Sequence, residues 1–326
     1  MIKRSTTMTS LSLPLNMPAA WFAMVMGLGG LSIAWQRAQA LTGLSEHAGY
    51  AAAWFALAVF VVLLTGYLRK ILFNREHFIA EFHHPTQIAF VGAVPISMEV
   101  LAVAFVNHHP SLAEVLLLIG MPLQLLVLAS MFRRWLVGEK IAPESITPAW
   151  FIPCVGGILV PLSGPQLGYH AAAWFFLCIG LLLWFFLMPI LLARLIFIGP
   201  LPPAAQPSLL ILLPPPALGM VSYVTMSGQL DVFAISLFTL MLFIAVILLS
   251  LTRSLTRSSF NMSWWAFSFP TAACSGSCSF MALQTGAPAA QGLALAALLI
   301  CSVVILGLLL KTIVAIGETI LRGGRP

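Results

Sequence analysis

Few side chains in this sequence could do chemistry, and most of them lie inside apolar runs. Glu99 is the only carboxylate set clearly within such a run. An acid buried in hydrocarbon is costly and is by default a functional candidate. Here it would be a proton site or a gating switch. The alternatives are a carboxyl hydrogen-bonded between helices or one reaching an outer vestibule. Cys274 and Cys278 stand four residues apart, a spacing shared by paired thiol ligands and by ordinary small-residue packing. His83-His84 and His108-His109 both precede proline, but about 24 residues of helix, about 36 Å, separate them, so they cannot share one ion. No metal site is expected. Ser32, Ser97, Ser222, Thr225, Ser268, Thr271 and Ser275 place hydroxyls inside apolar segments. Such groups can donate to a passing anion without holding it too tightly to leave. There is no P-loop, zinc-ligand spacing, nucleophile elbow or dinucleotide fingerprint. Neither enzymatic activity, a cofactor nor a nucleic-acid partner is expected.

The elements that must position these residues follow from composition. Only 24 of 326 residues are charged, 7%, and 60% are apolar. Soluble domains average about 25% charged and about 45–50% apolar. A soluble enzyme, a disordered chain and a disulfide scaffold are excluded. The five cysteines, an odd set inside apolar runs, agree. Long unbroken runs such as Ala51–Leu64 and Ala289–Leu310 argue for helices rather than a barrel of alternating strands. A span needs about 20 apolar residues. Ten candidates occupy 17–36, 49–70, 85–106, 112–132, 148–164, 170–194, 207–227, 231–252, 261–283 and 289–316. The expected organisation is a short tail over 1–16, a membrane domain over 17–316 and a second tail over 317–326. Lys3, Arg4 and Ala38-Gln39-Ala40 resemble parts of a signal peptide, but the apolar stretch Leu11–Trp35 exceeds the 7–15 residues of a typical one, so the first helix is expected to be retained.

Charge gives orientation. With ten spans and a cytoplasmic N-terminus, the inner side holds Lys3, Arg4, Arg69, Lys70, Arg75, Arg133, Arg134, Lys140, Arg194, Arg253, Arg257, Lys311, Arg322 and Arg325, and the outer side only Arg37. Trp21, Trp54, Trp135, Trp150, Trp174, Trp264 and Trp265 fall near helix ends, as in an interfacial belt. The odd spans begin near Pro18, Pro85, Pro148, Pro207 and Asn261, about 67, 63, 59 and 54 residues apart. Proline suits a first turn, where its missing N–H has no helical partner. Each odd span then meets a weakening residue about 8–10 positions on: Gly27, Pro95, Gly156, Pro216 and Pro270. The pattern predicts five hairpins with bent inner helices, which could surround an axial pathway.

The run Trp264-Trp265-Ala266-Phe267-Ser268-Phe269-Pro270 resembles the ninth-helix motif of the tellurite-resistance/dicarboxylate transporter family, which includes TehA-like proteins, malate permeases and plant slow anion channels. Trp21-Phe22 with Gly27-Leu28-Gly29, and Glu81-Phe82-His83-His84-Pro85 with Pro95-Ile96-Ser97, agree. The resemblance implies an all-α membrane fold, ten helices as five hairpins around a quasi-fivefold pore, and trimers. It also implies a phenylalanine plug at mid-depth in the ninth helix, here Phe269. Position fits that role: Phe269 lies about 12 Å into its span, and Phe267 is turned about 200° away. The expected function is passage of small inorganic or carboxylate anions across an inner membrane, with both termini cytoplasmic. The alternative is proton-coupled C4-dicarboxylate transport, or tellurite-resistance transport, with Glu99 carrying the proton.

Overall fold

The computed structural model describes residues 17–43, 45, 47–138 and 140–321. Lys3, Arg4, Arg322 and Arg325 lie outside the described residues. Among the described residues the only regular structure is helical. Ten helical stretches follow the expected order. These are α1 (Ala19–Thr42), α2 (His47–Phe73), α3 (Gln87–Phe105), α4 (Pro110–Val137), α5 (Pro148–Leu162), α6 (His170–Phe197), α7 (Gln206–Ser227) and α8 (Val232–Ser250). They end with α9 (Ser268–Thr285), which a 3₁₀ turn over Met262–Phe267 introduces, and α10 (Pro288–Leu321). A short helix, Arg75–His83, connects α2 to α3. Eight of the ten are long and apolar enough to cross a membrane; α5 is shorter, and α9 carries six hydroxyl residues that dilute its hydropathy. α10 continues to Leu321, five residues into the stretch expected as a tail.

The helix starts obey the proline rule. Pro148 and Pro207 sit in the first turns of their 3₁₀ segments, and Pro18 precedes Ala19. His84, just before Pro85, turns Nδ1 forward to accept from the N–H groups of Thr86 and Gln87 at 3.2 and 3.3 Å. Asn261 caps the last odd start by accepting from Ser263 N–H at 2.9 Å. Asp231 caps α8 through Ala234 N–H at 3.0 Å. The Tyr223 hydroxyl and that N–H together hold its carboxyl below the usual carboxylate range.

The breaks, however, fall about one turn earlier than the residues expected to cause them. α3 breaks at Gly92 rather than Pro95, and α7 at Leu213 rather than Pro216. In α9 the 3₁₀-to-α transition lies at Phe267–Ser268 rather than Pro270. A proline disturbs the carbonyl four residues before it, so its effect appears upstream. α5 changes from α to 3₁₀ at Gly156 itself. Gly27 is different. α1 is uninterrupted α-helix over Ala23–Thr42, and Gly27 serves close approach, because a Cβ there would collide with Ser268 of α9.

Packing sorts the helices into two sets. In the most apolar stretches of α1, α3 and α7, 72%, 94% and 61% of residues are buried; the shares for α2, α4, α6, α8 and α10 are 28%, 39%, 33%, 33% and 28%. Each odd helix touches the next odd one, α1 to α3 to α5 to α7 to α9, and α9 returns to α1. Each even helix packs on the odd helix before it in sequence. The even helices turn Val62, Leu126, Phe186, Val246 and Val303 outward, more than half exposed. That surface suits lipid and would be untenable in water. The tryptophan belt is only partly realised. Trp54 and Trp174 are exposed, but Trp21, Trp150 and Trp265 are buried. Trp265 donates Nε1–H to Thr312 at 3.0 Å, and Trp150 stacks on Trp135, so these rings pack helix feet together rather than facing headgroups.

Candidate functional site

A cavity of about 460 Å³ occupies the N-terminal halves of the five odd helices. Every odd helix contributes: Ala23 and Met26 from α1, Ala93 and Ile96 from α3, Gly156 and Leu159 from α5, Ile211 and Leu218 from α7, Phe269 and Pro270 from α9. The loops before these helices supply Thr86, Glu144, Thr147 and Ala204 at its other end. Its wall is almost entirely apolar, and Glu144 is the one charged residue among its described residues. Phe269 is half-buried and its ring packs over Gly30, where a Cβ would come within 3.5 Å of it. Phe267 is absent from the wall and leans on Trp264, ring centroids 5.9 Å apart.

The hydroxyls singled out in the sequence go elsewhere. Ser32 donates to Gly49 O at 2.7 Å and stitches α1 to α2. Ser97 donates to Ala93 O at 2.7 Å and lies 3.2 Å from Phe22 O. Ser222 joins α7 to α5 through Ile158 O at 2.6 Å. Ser268 bonds Trp265 O at 2.7 Å, Thr271 bonds Ser268 O at 2.8 Å, and Thr225 bonds Val221 O at 2.7 Å. Ser275 is buried and its hydroxyl has no partner. None of the seven lines the cavity. Each hydroxyl has one proton, and six of the seven spend it on a backbone carbonyl.

Glu99 is fully buried between α3 and α4, with its Cγ 3.3 Å from where a Cβ on Gly120 would stand. Neither carboxylate oxygen has a hydrogen-bond partner among the described residues. One turn along α4, Gln124 donates to Pro153 O at 2.7 Å. That carbonyl is left over where α5 departs from α-helix at Gly156, so the amide satisfies a group that the break frees. A second buried cluster joins the foot of α1 to the connecting helix. Glu81 accepts from Lys70 at 2.6 Å, from Tyr67 OH at 3.2 Å and from Ala19 N–H at 2.9 Å. Sequence reasoning passed over Gln124 and this pairing. Gln124 did leave a signal, as a lone amide in an apolar run four residues after a glycine. Among the described residues, no group of three or more His, Cys, Asp or Glu side chains is placed to hold a metal.

The sequence profile of the voltage-dependent anion channel family matches residues 16–313. The chain belongs to this family. It is similar to a tellurite resistance protein TehA homolog of Haemophilus influenzae, 27% identical over 81% of this chain and 81% of that protein. It is also similar to the S-type anion channel SLAH2 of Arabidopsis thaliana, 24% identical over 79% of this chain and 51% of the channel. The guard cell S-type anion channel SLAC1 of the same plant is 22% identical over 78% of this chain and 48% of the channel. Family and apolar helices together make this a multi-pass membrane protein of the anion channel and transporter class.

Proposed function

We propose that the chain is a passive channel for small monovalent anions, that its path runs along the axis of the five odd helices, and that Phe269 closes it. The observation that supports this reading is the cavity: all five odd helices wall it, and the half-buried Phe269 is part of that wall. The ring of odd-to-odd contacts supports a quasi-fivefold pore built from ten spans. A bare ring in an apolar constriction can close it by bulk and by dewetting. On this reading both termini are cytoplasmic in an inner membrane and the protein assembles as a trimer. Phe269→Ala should raise chloride current at least about tenfold in planar bilayers, the order expected for removing a barrier of about 1.4 kcal/mol. Unchanged current in correctly inserted protein rejects the gate.

Glu99 favours a second reading, proton-coupled transport of C4-dicarboxylates. A buried acid that no described residue satisfies is a candidate to carry a proton once water or substrate reaches it. Malate flux into liposomes that follows an imposed pH gradient, and loses that dependence in Glu99→Gln, would select it. Flux indifferent to the gradient selects the channel.

A further inference from the structure

No described residue of α1 beyond Met26 or of α9 beyond Pro270 walls the cavity, and the only charged side chain among the described residues of its wall is an acid, Glu144. Beyond Met26 on α1 stands a cation, Arg37. At 100° per residue, Ala23, Met26, Gly30 and Arg37 share one face of α1 within about 60°, and Phe269, Gly276 and Phe280 share one face of α9 within about 40°. The first residues of both series wall the cavity or meet the Phe269 ring. Further along, the two faces still meet. Arg37 Nη1 donates to Gly276 O at 3.3 Å, and the guanidinium carbon lies 5.9 Å from the centroid of Phe280. Gly276 is seven residues beyond Phe269, which puts the guanidinium about 10 Å past the ring along the axis.

Arg37 is half-buried, and among the described residues that carbonyl is its one side-chain hydrogen-bond partner. The one ion pair among the described residues, Lys70–Glu81, is elsewhere. Guanidinium carries five N–H donors in a planar fork that suits an oxyanion, and most of them are unspent. A cation held part-way inside an apolar bundle, with no counter-charge among the described residues, is costly, and an anion beside it offsets that cost.

We infer that Arg37 forms a binding site for a small monovalent anion, nitrate or chloride in type, in the half of the pathway beyond Phe269. The inference rests on the axial-pore reading for its role in permeation, but the site itself can be tested without conduction. Arg37 then sets anion preference, Phe269 sets closure, and the two lie in series.

Thermal unfolding of the purified full-length protein in detergent, with nitrate titrated against gluconate, reads the site directly. Nitrate should stabilise the wild type and Arg37→Lys. Arg37→Gln should need about tenfold more nitrate for half the effect, as expected for losing one charge-assisted hydrogen bond. A second variant, Gly276→Ala, keeps the charge but sets a methyl 3.4 Å from Nη1, and should also raise the nitrate required. The inference is overturned by a wild type that nitrate does not stabilise, or by a nitrate dependence unchanged in R37Q, or in G276A should R37Q not fold. Planar bilayers separate the two claims. If Phe269→Ala conducts, adding R37Q should move its reversal potential in a KCl gradient away from the chloride value, and no movement overturns the inference. If Phe269→Ala is silent while the nitrate titration behaves as stated, the pore reading fails and the Arg37 site stands.

Discussion

Two buried acids, 18 residues apart in sequence, show opposite solutions to the same problem. Glu81, at the foot of α1, has a lysine, a phenol and a backbone N–H around it. Glu99, between α3 and α4, has none of these. A satisfied buried charge fixes geometry, because removing one member strands the others. An unsatisfied one fixes little and weakens the fold until something binds or protonates it. The foot of α1 is therefore an anchor, and the α3–α4 seam is a place where the protein has given up stability.

Breaking the anchor has the largest expected effect. Glu81→Ala should cost about 3–5 kcal/mol, since it leaves Lys70 buried and uncompensated. Denaturant unfolding in detergent would read the loss, and replacing Lys70 by Met in the same chain should recover much of it. The contrast is sharpened by Glu99→Met, which should raise stability by about 2 kcal/mol because it removes an unpaired carboxyl from an apolar seam. A large loss there would mean that Glu99 has a structural partner, and the comparison would collapse. The smallest effect belongs to Gln124→Ala, a loss of about 1 kcal/mol, as the Pro153 carbonyl goes unpaired. Hydrogen exchange should localise that change to α5.

The same contrast separates what could be read in the sequence from what could not. Helix starts were legible because their causes are local: Pro148 and Pro207 open their own first turns, and Asn261 caps the residue two positions on. Phe269 joins the cavity wall and Phe267 does not, for a similarly local reason: two residues of helix, just over half a turn, set them on opposite faces. The breaks were displaced because a proline acts one turn upstream of itself, as at Gly92 and Leu213. Two of the hydroxyls have distant partners, Ser222 reaching Ile158 across 64 residues and Ser32 reaching Gly49 across 17, whereas Ser97, Thr225, Ser268 and Thr271 bond carbonyls three or four residues back. Glu81 and Ala19 are 62 residues apart, and Arg37 and Gly276 are 239 apart. No periodicity encodes such pairs. The sequence showed Arg37 only as the lone outer charge in the loop count, and its place on the face that continues past Gly30 needed both helices together.

The 3₁₀ stretches of α5 have a consequence for the host membrane. Ten of its 15 residues, Pro148–Trp150 and Gly156–Leu162, are wound as 3₁₀. A 3₁₀ residue rises about 2.0 Å against 1.5 Å in an α-helix, so the segment reaches about 28 Å instead of about 22 Å. In a ten-span arrangement this thinner winding is what lets 15 residues match a hydrocarbon layer of about 30 Å. α5 has no slack left, whereas α4 and α6, at 28 residues each, can tilt. Hydrophobic mismatch in a thicker bilayer would therefore concentrate on the third hairpin, next to Gly156 and the cavity wall, and lipid chain length becomes a variable to which conduction should respond.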